Sequence, residues 1–124
     1  MPVKVVDASA IAALVFGESE AAEVTARLRG AKLVAPALLS FEIASVCLKK
    51  LTCHPQQRET LLAAHRLFTR LDINQPEVEL PEVVELAHQA GLTAYDASYL
   101  WLARRLPAEL VTLNGRLARA AAET

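Results

Sequence analysis

Three acidic residues lie inside segments that otherwise resemble buried core. Asp7 directly follows an apolar run, Glu42 lies between Phe41 and Ile43, and Asp96 interrupts a third apolar stretch. Carboxylates are almost never buried unless they are paired or bind a metal, because an isolated charge loses its hydration on burial. Clustered carboxylate oxygens suit a hard divalent cation such as Mg²⁺ or Mn²⁺. We therefore predict that the three acids share a metal site.

Each acid taken alone has a simpler explanation. Asp7 could cap the helix that follows it, and Asp96 could cap its own helix or interact with Thr93. Glu42 has no such explanation, because it lies within a helix between two large apolar residues. If only one of these acids were present, a structural role would be the preferred interpretation. Because all three occur in one chain, we prefer a shared site.

The composition is that of an ordinary globular protein. A length of 124 residues predicts one domain over residues 1–124, and 53% apolar residues exclude a disordered chain. The net charge of −1 provides no overall attraction to nucleic acid or acidic lipid, so any RNA contact needs a local basic patch or a bound metal. Cys47 and Cys53 form no zinc pattern, and we expect two reduced thiols in a cytoplasmic protein without a signal peptide or a membrane span.

Short strands alternate with longer helices along the chain. Strands are predicted at 3–6, 32–35, briefly from 73, and at 109–113; helices are predicted from a cap at Ser19 to about 29, and at 9–15, 36–51, 56–71, 81–90, 94–105 and 115–122. This alternation predicts an α/β domain with a mainly parallel four-stranded sheet. Ligands of such sheets bind beyond the carboxyl ends of the strands, where Asp7 and Asn114 both fall.

The helix that carries Glu42 is apolar on two sides. One stripe consists of Leu39, Ile43 and Val46, and the other of Ala44, Leu48 and Leu51. A helix that is apolar nearly all round is buried on two sides. In a chain this small, we expect the second side to be a dimer interface.

Four segments, residues 5–10, 41–44, 92–100 and 110–114, resemble those of PIN-domain nucleases, most closely the VapC-type toxins of toxin–antitoxin pairs. Tyr95-Asp96-Ala97-Ser98-Tyr99 is the most specific of them. The resemblance implies a three-layer α/β/α fold and a metal-dependent endoribonuclease that hydrolyses RNA phosphodiesters. It also implies a homodimer and a small antitoxin protein as partners, with RNA as the substrate.

The resemblance further implies roles for individual residues. Asp7, Glu42 and Asp96 are expected to be the catalytic acids that bind Mg²⁺ or Mn²⁺, and Ser9 and Thr112 are expected to order the site by hydrogen bonding.

One departure from the family pattern concerns the metal. Asn114 stands where the family usually has a fourth acid, and it offers a neutral amide oxygen in place of a carboxylate. We expect it to be a weaker metal ligand, with activity that is reduced or more dependent on Mn²⁺. A final edge strand, present in many relatives, is also expected to be absent.

Basic residues near the acids are candidate RNA contacts. Lys49 and Lys50 follow Glu42 by about two helical turns, and Arg104 and Arg116 follow the later motifs. For any single one of them, a solvated surface position is the simpler explanation. Trp101 and the two tyrosines are expected to be core or dimer residues.

Other functions remain open at this point. If Asn114 has disabled catalysis, the domain is an RNA- or antitoxin-binding scaffold. A phosphatase of the haloacid-dehalogenase type, with Asp7 as nucleophile, is disfavoured because its second acid falls at Ser9.

Overall fold

A four-stranded parallel sheet forms the centre of the computed structural model, which describes residues 1–123. Its strands are β1 (Val3–Val6), β2 (Lys32–Val34), β3 (Ile73–Asn74) and β4 (Glu109–Val111). They lie in the order β3-β2-β1-β4, and each neighbouring pair is parallel. The predicted α/β fold with a parallel four-stranded sheet is therefore confirmed.

Helices fill most of the chain between the strands. They are α1 (Ala8–Val15), α2 (Ala21–Leu28), α3 (Leu38–Cys53), α4 (Arg58–Thr69), α5 (Leu80–Ala90), α6 (Ala94–Arg105) and α7 (Gly115–Ala122), and one 3₁₀ turn, Pro55–Gln57, precedes α4. Helices α1 to α4 pack together as one group, and α6 packs with α5 and α7 as another.

Both faces of the sheet are covered. Side chains alternate between the two faces along a strand, so the neighbouring residues Val5 and Val6 point in opposite directions. Both are completely buried. The arrangement is the one expected of a parallel sheet, whose strands are covered by helices on either side.

The last strand is shorter than predicted. We expected residues 109–113, but β4 ends at Val111. The Thr112 hydroxyl donates to the Asp7 carboxylate, and the Leu113 N–H donates to the Ser9 hydroxyl. The Leu113 N–H therefore bonds to a side chain at the start of α1 instead of continuing the backbone ladder with β1.

Two helix starts also differ from prediction. Ser19 does not cap α2, which begins at Ala21, because its hydroxyl donates to the neighbouring Glu20 carboxylate instead. Pro36 lies two residues before α3, and its carbonyl accepts the N–H of Leu39 in a preceding turn.

The end of α5 follows the prediction. Gly91 ends the helix with a φ of 67°, a left-handed conformation that favours glycine. The chain then turns into α6, which carries Asp96.

The neighbouring strands β1 and β4 bring the expected residues to one edge. Val6 pairs with Val111, so the residues that follow each strand meet at the carboxyl edge of the sheet. Cys47 and Cys53 are free thiols, as predicted. No helix in residues 1–123 combines the length and the apolar character needed to cross a bilayer.

Candidate active site

Asp7 is the only buried acid in residues 1–123, with 4% of its surface exposed. It caps α1, because its Oδ1 accepts the Ala10 N–H at 3.1 Å. The same oxygen accepts the Ser9 hydroxyl at 2.7 Å, and Oδ2 accepts the Thr112 hydroxyl at 2.5 Å. A carboxylate offers about four lone-pair sites, so Oδ2 retains a site for one further partner.

Ser9 and Thr112 fix the Asp7 carboxylate across β1 and β4. The Ser9 hydroxyl accepts the Leu113 N–H at 2.8 Å, and the Thr112 hydroxyl accepts the Asn114 N–H at 3.0 Å. Because each hydroxyl oxygen receives a backbone proton, its own proton is free to point at Asp7. These are the contacts expected of residues that order the site.

Glu42 lies half-buried in the second turn of α3. The Tyr99 hydroxyl on α6 donates to its Oε1 at 2.5 Å. Burial, the hydrogen bond to Glu42 and nearby negative charge all raise the pKa of Tyr99, so the phenol keeps its proton and remains a donor. Glu42 Oε2 accepts no hydrogen bond from any residue in the described part of the chain.

Asp96 is the third residue of α6 and is half-buried. Thr93 caps this helix, and its hydroxyl oxygen accepts the Asp96 N–H at 3.1 Å. The Asp96 carboxylate takes no part in the cap and accepts no hydrogen bond within residues 1–123. The acid is therefore free to bind a ligand.

The three carboxylates lie close enough to influence one another. Burial raises the pKa of Asp7 above its ordinary value of 3.8 despite three opposing hydrogen bonds, and the charge of Asp96 adds to this effect. Burial likewise raises the pKa of Glu42 above 4.5, the hydrogen bond from Tyr99 opposes the rise, and the charges of Asp96 and Asp7 increase it. None of the ion pairs found in residues 1–123 includes any of these acids.

The donor set matches a hard divalent cation in chemistry and charge. Carboxylate oxygens are the ligands that Mg²⁺ and Mn²⁺ prefer, and a cation would relieve the repulsion among the three acids. Among residues 1–123, no three His, Cys, Asp or Glu side chains are arranged so that all of them could bind one metal ion directly. This is compatible with Mg²⁺, which usually keeps several waters and uses only one or two carboxylates directly.

The comparison with known families decides the identity of this fold. Residues 4–123 match the family model described as PIN domain. The chain belongs to the PIN-domain family. It is also 34% identical over 120 residues to Ribonuclease VapC3 of Pyrobaculum aerophilum, across 92% of this chain and 91% of that protein. The resemblance inferred from the motifs is thereby confirmed.

A solved structure supports the same fold. The crystal structure of PAE2754 from Pyrobaculum aerophilum matches with a TM-score of 0.67, over 96% of this chain and 84% of that chain. The sequence identity is 24%, so this likeness concerns the PIN fold alone.

Asn114 caps α7 in this PIN domain. Its Oδ1 accepts the N–H groups of Arg116 at 3.0 Å and Leu117 at 3.2 Å. An amide oxygen has two lone pairs, and both are used here. Binding a cation through Oδ1 therefore competes with the cap, and the role of Asn114 as a metal ligand stays a prediction.

The two arginines that we predicted to contact RNA lie at opposite ends of the domain. Arg116 is in the first turn of α7, at the same edge of the sheet as Asp7. Arg104 is in the last turn of α6, at the other end of that helix from Asp96.

The two lysines predicted to contact RNA lie toward the far end of α3, about 10 Å or more along the helix from Glu42. Lys50 pairs with Glu18 at 3.2 Å and lies over the ring of Phe16. Lys49 is exposed. The structure therefore does not bring these side chains next to the acids.

Tyr99 is the site residue that sequence reasoning missed. It is buried, as expected of a core residue, but its hydroxyl contacts Glu42. A usable signal was present, because Tyr99 lies three residues after Asp96 and buried tyrosine hydroxyls usually need a partner. The partner itself was not predictable, since it lies 57 residues away on another helix.

Proposed function

We propose that this PIN domain, over residues 1–124 as one domain, is a metal-dependent endoribonuclease and the toxin of a toxin–antitoxin pair. The observation that carries the proposal is the mutual electrostatic influence of Asp7, Glu42 and Asp96, which come from three separate segments and take part in no ion pair within residues 1–123. The similarity to a protein named Ribonuclease VapC3 supports RNA as the substrate and an antitoxin as a partner. Residue 124 lies outside the described residues.

Asp7, Glu42 and Asp96 would hold the cation, Mg²⁺ or Mn²⁺. When bound, such a cation stabilises charge on a phosphoryl oxygen and lowers the pKa of a coordinated water. Ser9 and Thr112 keep the Asp7 carboxylate in one orientation, so that its remaining lone pair is always presented in the same direction.

The helices add positive potential at the same edge. Asp7 caps α1, Asn114 caps α7, and Asp96 lies in the first turn of α6, so three helix N-termini point toward the acids. Helix N-termini carry partial positive charge and favour phosphate groups. They offset part of the repulsion that the acids exert on an RNA backbone.

Arg116 is the best-placed contact for an RNA phosphate, because it lies in the first turn of α7 beside the site. Lys49, Lys50 and Arg104 remain predicted contacts for more distant phosphates of a longer RNA.

The homodimer belongs to the same proposal and is supported by the outer face of α3. Phe41 and Leu48 are 76% and 63% exposed, and Ala44 between them is also exposed. Their spacing of three and four residues puts them in one stripe on the helix. In Ala44→Glu/Leu48→Glu we expect a monomer by analytical ultracentrifugation where the parent is a dimer; a dimeric double variant would contradict this interface.

One observation favours a second function. The oxygen of Asn114 is engaged in the cap of α7, which leaves three acids to hold the metal. A weakened site of this kind suits a scaffold that binds RNA or an antitoxin without cutting.

RNA cleavage by the purified chain, freed of any antitoxin, distinguishes the two functions. We expect cleavage of a mixed structured RNA pool with Mg²⁺ or Mn²⁺, none with EDTA, and none from Asp96→Asn with unchanged circular dichroism. A folded parent protein that cleaves no RNA with either metal would contradict the proposed nuclease activity. Cleavage gained by Asn114→Asp from that silent parent would then support the scaffold.

A further inference from the structure

A buried tyrosine connects the two helical groups at the candidate active site. Tyr99 on α6 donates its hydroxyl proton to Glu42 on α3 at 2.5 Å. Helix α3 packs mainly with α1 and α4, whereas α6 packs with α5, α7, β1 and β4. The two helices share little packing of their own, so this hydrogen bond directly links the helix of Glu42 to the helix of Asp96.

The hydrogen bond from Tyr99 restricts the conformation of the Glu42 side chain. A glutamate has several rotatable bonds and loses much conformational freedom when it is fixed. Tyr99 is able to fix it because its ring is 1% exposed and packed in the core. The hydroxyl contacts Oε1 only, and Oε2 has no hydrogen-bond partner in residues 1–123. One oxygen is therefore held while the other stays available.

We propose that Tyr99 is a positioning residue that holds Glu42 ready for a divalent cation shared with Asp7 and Asp96. The inference rests on the proposed function. The Tyr99 hydroxyl would orient the Glu42 carboxylate by a hydrogen bond, as the hydroxyls of Ser9 and Thr112 orient the Asp7 carboxylate. Removing a group that hydrogen-bonds to a metal ligand typically weakens metal binding about 10- to 100-fold.

The chain provides a matched pair of variants for the test. Tyr99→Phe and Tyr95→Phe each remove one hydroxyl from α6, but Tyr95 is 63% exposed and its hydroxyl has no hydrogen bond within the described residues. The dissociation constant of Mn²⁺ is measured by electron paramagnetic resonance of the free ion, without RNA. We expect about tenfold or more weakening in Tyr99→Phe and no change in Tyr95→Phe.

Equal Mn²⁺ binding by Tyr99→Phe and the parent would overturn the positioning role while leaving the proposed function intact. A parent that binds no Mn²⁺ would overturn both. In a Glu42→Ala background, Tyr99→Phe should cause no further loss of Mn²⁺ binding. A further loss as large as in the parent would show that Tyr99 acts through another group, and would also overturn the inference.

A second measurement does not depend on the folding of Tyr99→Phe. The chain has two tyrosines and one tryptophan. In Tyr95→Phe, the tyrosine difference band, which lies at a shorter wavelength than that of Trp101, therefore reports on Tyr99. Mg²⁺, at a concentration that displaces bound Mn²⁺, should perturb this band in an ultraviolet difference spectrum, because the charge beside the phenol changes. An unperturbed band would contradict the link.

Discussion

Strands β1 and β4 lie side by side, and each end of this pair carries an acid in a different electrostatic environment. At the amino end, Glu109 stands opposite Lys4 and pairs with it at 3.3 Å and with Arg27 at 3.0 Å. The hydrogen bond from Arg27, together with Lys4, lowers the pKa of Glu109. At the carboxyl end, burial and the charge of Asp96 raise the pKa of Asp7.

The two acids are separated by about 10 Å along the strands. Within the part of the chain that the structure describes, Glu109 has basic partners and Asp7 has none. Glu109 contributes to folding through a pair of ordinary surface ion pairs. Asp7 has hydrogen bonds that orient it but no ion pair with any residue of 1–123. Acids whose burial lowers the stability of the fold, and whose carboxylates are nevertheless oriented by hydrogen bonds, are typical of a site for an external cation.

The largest effect is expected from exchanging each acid for its amide. Asp7→Asn keeps an oxygen for the cap of α1 but loses the charge, and we expect RNA cleavage to fall by more than about 100-fold, beyond the loss typical of residues that only support a metal ligand. Glu109→Gln should cleave like the parent. The measurement is kcat/KM on one RNA at saturating Mg²⁺. A similar loss of kcat/KM in both variants would contradict the proposal that only the carboxyl end of the strand pair takes part in cleavage.

A smaller effect is expected from the arginines at the two ends. Arg116→Ala should weaken RNA binding and reduce the slope of log K against log salt by about 0.7, the value for one phosphate contact to a single strand. On a short RNA that reaches only the carboxyl end of the strands, Arg104→Ala should leave the slope unchanged, because the phosphates assigned to Arg104 belong to a longer RNA. Binding is measured by fluorescence anisotropy at several salt concentrations with Ca²⁺ in place of Mg²⁺. A larger loss from Arg104→Ala would contradict the assignment of the carboxyl end as the RNA-binding end.

The same contrast explains how much of the molecule was predictable. The strands and helices follow from local signals, such as the apolar run before Asp7 and the glycine that ends α5. The convergence of Asp7 and residues 112–114 follows from parallel strands meeting at one edge. These features depend on short stretches of chain and on one general rule of α/β folds.

The missed features depend on contacts between distant segments. Tyr99 reaches Glu42 only because of how α6 and α3 are placed over the sheet, which no local pattern specifies. The early end of β4 has the same origin, since Thr112 turns toward Asp7. The cap formed by Asn114, in contrast, could have been predicted from the sequence, because Asn is a favoured capping residue and Gly115 begins a helix.

A moderate effect on stability is expected at Asn114. Asn114→Ala removes the cap of α7 and should lower the free energy of unfolding by about 1 kcal/mol. Asn114→Asp keeps a capping oxygen, and its added charge should make the stabilisation by Mg²⁺ larger than in the parent. Urea unfolding with EDTA or with Mg²⁺ measures both. An alanine variant as stable as the parent would show that the cap contributes nothing.

The smallest effect, and the one with the clearest sign, is the pH dependence of stability in EDTA. Glu109 has a lowered pKa, so its contribution is present above its ordinary value of 4.5 and is lost as the pH falls. Because Glu109 is half-exposed, this contribution is at most about 1 kcal/mol. Asp7 has a raised pKa, so its contribution is present below 3.8 and is lost as the pH rises.

Urea unfolding of the parent, Glu109→Gln and Asp7→Asn across acidic to neutral pH tests these opposite signs. The stability difference between the parent and Glu109→Gln should grow in favour of the parent as the pH rises. The difference between the parent and Asp7→Asn should shift the other way. Mg²⁺ should cancel the second trend and leave the first, because among the described residues Glu109 has basic partners whereas Asp7 has none. If both stability differences changed with pH in the same direction, the electrostatic environments of Glu109 and Asp7 would not differ as described.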